Sequence, residues 1–194
     1  MIDITFYRRE DTIQIGKDLL GQYLFTRLDG KLTGGIIIET ESYKGIEDKA
    51  CHAYGNRKTK RTHVMFEKGG IAYIYLCYGI HHLFNIVTHQ EGFPHAILVR
   101  AIIPTHGIET ILKRRKKERC SPSLTNGPGT VTQALGIHIG HNGTSLLGDQ
   151  IWLEKGIKIH PEHILSSPRI GIDYAEEHAL LPWRFHLAQN SIIT

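Results

Sequence analysis

Apolar and polar positions along this chain predict a row of β-strands with helices at its margins. Asp11, then TIQIGKDLL and Gly21, reads as a helix of about three turns, capped by the aspartate and stopped by the glycine. Residues 22–28 and 31–41 flank Asp29-Gly30, a dipeptide suited to a tight hairpin because both positions tolerate positive φ. After Gly69-Gly70 come IAYIYLCYG, residues 83–88 and residues 96–103, three β-rich segments separated by glycine and polar turns. Pro104-Thr105 is expected to open a helix with an apolar stripe of Ile108, Ile111 and Leu112, ending in the basic run 113–117. Thr125-Asn126-Gly127-Pro128-Gly129 punctuates the chain before a short helix from Thr130, whose first amides are placed to hold a phosphate. The tail alternates short strands, such as 150–153, with turns, and closes on Pro182-Trp183-Arg184-Phe185. Strands in a row with helices outside them indicate the α+β class, a single domain over 1–194 with a curved antiparallel β-sheet, a barrel-like core, flanked by helices.

One stretch departs from a purely structural pattern. In GGIIIETESYKGIEDKACH, residues 34–52, an apolar run gives way within a few positions to paired acids and an aromatic. Alternation on a strand sends Glu39, Glu41 and Tyr43 to one side and Ile36, Ile38 and Thr40 to the other. Two carboxylates roughly 6 to 7 Å apart in an apolar setting are expected to raise at least one pKa, which makes either a candidate general base. The alternative is that one or both are ion-paired with arginine in a structural role.

Composition narrows the class. A hydrophobic content of 41% and charged content of 22% are ordinary for a globular protein, and no apolar run reaches the ~18 residues of a membrane span. The charged N-terminus, MIDITFYRRE, is unlike a signal peptide, so a cytosolic protein with no membrane partner is expected. Three cysteines at long spacings form neither a disulfide framework nor a zinc pattern. The net charge of +4 permits a polyanionic partner only if the cations gather on one face. Residues 44–68, polar and carrying Arg57, Lys58, Lys60, Arg61 and His63, read as a long surface connection of the kind that often carries function. The basic run 113–117 is either a solvated helix end or a phosphate contact.

The tyrosines add a second candidate chemistry. Tyr73 and Tyr75 share a strand face, and Tyr78 follows at a turn before Gly79. Rings on a face with scattered cations suit a planar base taken out of a nucleic acid, and a ring on an exposed turn can fill the gap left behind. The same rings also suit a sheet core with satisfied hydroxyls. A non-catalytic nucleic-acid-binding module is the main rival reading. A metal-dependent hydrolase is a weaker one, since no ligand spacing supports it.

ETESYKGIEDKACH, MFEKGGIAYIYLCYG, Asn85, LVRAIIP, NGPG and SPRIGI, in that order, resemble the alkyladenine (3-methyladenine) DNA glycosylase family of base-excision repair, from about the first helix to about His186. The resemblance implies a monofunctional enzyme that flips alkylated or deaminated purines out of double-stranded DNA and hydrolyses the N-glycosidic bond with a Glu-activated water. The purines implied are 3-methyladenine, 7-methylguanine, hypoxanthine and ethenoadenine. Glu41 matches the general base, a choice between Glu39 and Glu41 that spacing alone leaves open, and Arg100 matches the arginine that helps hold the water. Tyr43, His52 and Tyr75 match pocket residues around the flipped base, Asn85 the asparagine that crowds the amino group of normal guanine, and Tyr78 the residue inserted into the duplex. Ile80-His81-His82 is less apolar and aromatic than the equivalent stretch in many relatives. No metal or other cofactor is implied and the likeness points to a monomer, while the compact length is expected of a bacterial-type enzyme, cytoplasmic and nucleoid-associated. No lysine or N-terminal proline matches a covalent, strand-cutting mechanism.

Overall fold

The computed structural model describes residues 1–188; the rest of the expected 1–194 span lies outside the described residues. The N-terminal part holds two short helices, α1 (Ile4–Tyr7) and α2 (Thr12–Asp18), the latter capped by Asp11, whose Oδ1 accepts the Gln14 amide at 2.9 Å. β1 (Tyr23–Leu28) and β2 (Lys31–Lys44) follow as a hairpin. Asp29 and Gly30 both take positive φ, 53° and 68°, and Leu28 faces Lys31 across the two-residue turn. The left-handed turn matches the twist of the strands it joins.

β3 (Ala72–Cys77), β4 (His81–Thr88) and β5 (His95–His106) continue the sheet, and β6 (Ile151–Glu154), β7 (Ile164–Ser167) and β8 (Arg184–Leu187) complete it. The order is β3-β4-β5-β2-β1-β6, with every pairing antiparallel. β2 is the spine. Its first half pairs with β1 as far as Ile36, and beyond that β8 takes over the same edge against Glu39, Thr40 and Glu41, with β7 on its far side. The register against β5 shifts on either side of Glu39, a bulge that bends the strand where its neighbours change. The sheet therefore forks and curls into a half-barrel, giving the α+β architecture that the strand pattern indicates.

The helices α3 (Ile108–Arg115) and α4 (Pro128–Leu135) pack against the curled sheet. Ile15, Ile37, Phe84, Ile102, Val131 and Phe185 belong to one buried cluster between them. On β2, Thr40 Oγ donates to the Gly16 carbonyl at 2.8 Å and Ser42 Oγ to that of Thr12 at 3.2 Å, so α2 lies on this face. A Cβ at Gly16 would fall 2.3 Å from Ser42 Oγ, so only glycine permits the close approach.

Two expectations need correction. Pro104 does not open a helix: β5 runs on through it to His106, and α3 begins after Gly107, which has a φ of 67°. Pro104 sits opposite Gly35 at a register shift and beyond the last residue of β5 that pairs with β4, so its missing N–H breaks no ladder there. Residues 44–68 are also less of a surface loop than their polarity implies. They form short 3₁₀ turns at Gly45–Glu47, Tyr54–Asn56 and His63–Phe66, and bury Cys51, Ala53, Val64, Met65 and Phe66 in a second apolar cluster with Tyr73 and Val87.

Candidate active site

The face of β2 opposite α2 carries Glu39, Glu41 and Tyr43, and the two acids have different surroundings. Glu39 is bound through Oε1 by two arginines, Arg100 Nε at 3.0 Å and Arg184 Nη1 at 2.9 Å. Glu41 is wholly buried and accepts two hydrogen bonds, from the Ile170 amide at 2.8 Å on Oε1 and the Tyr43 hydroxyl at 2.7 Å on Oε2, and its Oε1 is ion-paired with Arg100 Nη1 at 3.2 Å. Charge-assisted bonds of this kind offset the cost of burying a carboxylate. Arg100 bridges the acids, and with Arg184 it balances their two negative charges. Burial first, and then the neighbouring Glu41, push the Tyr43 phenol well above its usual range, so Tyr43 remains a donor.

Glu41 lines a cavity of about 430 Å³ with Tyr43, His52, Tyr75, Asn85 and Arg100. A strand, a hairpin and a loop supply the remaining wall. Tyr73 and Tyr75 lie 5.6 Å apart on β3 with their rings tilted by 33°, and His52 meets the Tyr75 ring edge-on at 4.5 Å. Arg61 closes this corner, with its guanidinium 4.9 Å from the Tyr75 ring centre and Nη2 3.1 Å from His52 Nε2. An arginine only donates, so Nε2 accepts and the proton sits on Nδ1, which donates to the Tyr73 hydroxyl at 2.9 Å. Burial, reinforced by Arg61, lowers the His52 pKa to about 4, which keeps the ring neutral.

Asn85 is buried at the cavity and pinned, its Nδ2 donating to the carbonyls of Tyr73 at 3.1 Å and Leu83 at 3.4 Å. Both amide hydrogens are thus used on backbone, and the side chain cannot withdraw from a ligand without breaking those bonds. At the mouth, the β3–β4 turn presents Tyr78, which is 90% exposed and has a φ of 50°, followed by Gly79 at 73°. A bulky residue in the left-handed region costs roughly 1–2 kcal/mol, and such strain gathers at functional positions. Ile170, 52% exposed, and Tyr174, 65% exposed, also line the cavity.

All seven residues singled out from sequence, Glu41, Arg100, Tyr43, His52, Tyr75, Asn85 and Tyr78, border this one cavity. The sequence reading missed Arg61, Ile170 and Tyr174 as members of it. Arg61 was visible as a cation of the basic loop and Ile170 as part of SPRIGI, but neither gave a signal of its position. The basic run at the end of α3 is partly internal: Arg114 donates to Thr33 Oγ at 3.2 Å, and Arg115 to the Leu124 carbonyl at 2.9 Å and to Gln133. At the start of α4 it is Pro128 that lines the cavity, a residue with no amide to offer. Among the described residues no group of His, Cys, Asp and Glu is arranged to hold a metal ion.

A family model described as methylpurine-DNA glycosylase (MPG) matches residues 5–191. A protein of Chlamydia felis (strain Fe/C-56), named for 3-methyladenine DNA glycosylase, is 50% identical over 188 residues, covering 96% of each chain. A Chlamydia pneumoniae protein of the same name is 47% identical over 189 residues, 97% of this chain and 95% of its own. One from Bacillus cereus (strain ATCC 14579) is 47% identical over 187 residues, 91% and 90% respectively.

Proposed function

Since the chain belongs to the methylpurine-DNA glycosylase family, a family of hydrolases acting on N-glycosyl bonds in DNA, we propose that it excises alkylated and deaminated purines by a water that Glu41 activates. The damaged nucleotide leaves the duplex, its purine enters the cavity among Tyr43, Tyr75 and His52, and Tyr78 fills the vacated place in the stack. The water oxygen bonds to C1′ of the deoxyribose as the C1′–N bond breaks. The bonding pair goes to the purine and the water's proton to Glu41; a cationic alkylpurine thereby leaves neutral, a neutral deaminated purine also takes up one proton on its ring from solvent, and the products are a free base and an abasic site.

The observation that carries this reading is the buried Glu41 carboxylate opening on a ring-lined cavity while held by two hydrogen bonds and an ion pair. Glycosidic cleavage builds positive charge on the sugar. At ~4 Å and an effective dielectric of ~20, a carboxylate attracts a full unit charge by about 4 kcal/mol, roughly a thousandfold in rate. A cationic alkylpurine becomes neutral on leaving, so it needs no general acid, and aromatic walls favour a positively charged ring. Asn85, which cannot retreat, crowds the amino group of normal guanine. No lysine borders the cavity among the described residues, and the Cys51 thiol is held protonated by burial at a pKa of about 12, which supports hydrolysis without strand cleavage.

The test is release of free base from duplex DNA carrying one methylated or deaminated purine, with and without EDTA. Wild-type protein releases the base in both conditions. Glu41→Gln binds the lesion duplex with affinity close to wild type but excises at least ~10³-fold more slowly. Undiminished excision by Glu41→Gln would falsify the mechanism, and loss of activity with EDTA would move the reading to a metal-dependent hydrolase.

A further inference from the structure

The loop that supplies Ile170 to Glu41 is anchored by an ion pair for which the chemistry has no direct use. Arg169 and Asp48 are both fully buried. Arg169 Nη2 donates to Asp48 Oδ1 at 2.9 Å and Nη1 to Oδ2. The same guanidinium donates to the Ser42 carbonyl at 2.9 Å and the His178 carbonyl at 3.1 Å, and lies between two rings, Tyr43 at 4.8 Å and Trp183 at 5.1 Å. Asp48 in turn accepts the amides of Lys44 at 3.1 Å and Ala50 at 3.0 Å. The pair thus ties together the end of β2, the segment leading to His52 and the loop of Ile170 and Tyr174.

A buried ion pair is a poor source of stability, since apolar packing of similar volume often does as well. What this one supplies is geometry. Both hydrogen-bond donors on Glu41 depend on Arg169: the Tyr43 hydroxyl, whose ring lies against the guanidinium, and the amide of the next residue, Ile170. We propose that Asp48 and Arg169 are a positioning pair that fixes Tyr43 and Ile170 against Glu41, so that the carboxylate keeps one orientation toward the sugar. This rests on the reading of Glu41 given above.

Arg169→Lys keeps the charge for Asp48 but loses the planar face and the paired donors. The expected result is single-turnover base release about 10- to 100-fold slower at saturating enzyme, with Kd for the lesion duplex within about threefold of wild type. Coupling gives the sharper readout. In a Tyr43→Phe background, which already lacks the hydroxyl on Glu41, Arg169→Lys slows release by at least about threefold less than it does alone. Effects that multiply in full, or release by Arg169→Lys within about twofold of wild type, overturn the pair while leaving Glu41 as the base. Should Arg169→Lys fail to fold, Trp183→Leu removes the other stacking face at a site outside the cavity. It is expected to slow release without weakening binding, and an unchanged rate overturns the proposal. A wild-type protein that frees no purine overturns the Glu41 reading, and the pair with it.

Discussion

Two histidines held neutral by burial set an acid limit on this protein. His95, bonded through Nδ1 to Thr12 Oγ at 2.8 Å and with its ring 4.8 Å from that of His89 at a 46° tilt, has its pKa lowered to about 4, chiefly by burial and then by His89 and Lys44, against a weaker opposing effect of Asp48. His52 is lowered to about 4 in the same way. Unfolded histidine titrates near 6.5, so above that pH neither state binds the proton. Between 6.5 and 4 the unfolded chain binds protons that the folded chain refuses, so stability falls as the pH drops through this window. Thermal melts at steps from pH 7.5 to 4.5 should show that fall. His95→Gln should start from a lower Tm at pH 7.5, having lost its packing, yet decline less steeply below 6.5; parallel curves would count against a neutral buried His95. The other acid-base distinction at this scale was closed to the sequence. Glu39 and Glu41 share a strand face, as alternation predicts, but what separates them is the arrival of Arg184 from β8 and of the Ile170 amide from a distant loop. No local pattern records those arrivals, and only family resemblance favoured Glu41.

The β3–β4 hairpin shows how an element stores strain where DNA is proposed to insert. Its turn closes with the Ile80 amide on the Cys77 carbonyl at 3.1 Å and holds Tyr78 in a left-handed conformation that asparagine tolerates better. Tyr78→Asn should therefore leave Tm unchanged or raise it by a few degrees, about 2–4 °C for each kcal/mol relieved. The same change should weaken binding to lesion duplex roughly 5- to 150-fold, the range expected for a lost base–aromatic stack. Unaltered affinity in a titration with lesion duplex would remove Tyr78 from the insertion role. Elements whose cause is local were legible in sequence: Asp29-Gly30 fixed the first hairpin and Asp11 capped α2, although that helix ends at Asp18 with Leu19 as its cap, shorter than the expected three turns and short of the Gly21 stop. Pro104 misled because proline normally marks the end of a strand, and only the absence of a β4 partner at that position lets β5 continue. The fork at which β8 replaces β1 beside β2 was not legible at all, since it depends on a pairing between residues near opposite ends of the chain.

At the scale of the whole molecule, a net charge of +4 says little until its cations are sorted by what they already hold. Arg100, Arg169 and Arg184 neutralise buried acids, and Arg114 and Arg115 bond to backbone and side chains beneath α3. Arg57, Lys58 and Lys60 are exposed and precede Arg61, which lines the cavity, by one to four residues, and they are the cations expected to meet a phosphate backbone. Lys155 and Lys158 border a separate groove with α1 and α2, and α2 packs on the opposite face of β2 from Glu41. Each phosphate neutralised on duplex DNA steepens the dependence of log K on log salt by about 0.9. Replacing Arg57, Lys58 and Lys60 together by glutamine should therefore flatten that slope by up to about 3, while single-turnover excision at saturating enzyme stays near wild type because none of the three reaches the cavity. The Lys155→Gln, Lys158→Gln double variant removes two charges from the other face, against three, and should leave the slope within about 0.5 of wild type. Flattening by the two variants in proportion to the charge each removes would mean that DNA responds to total charge rather than to a face. The cavity would then have to be reached without the guidance of a basic edge.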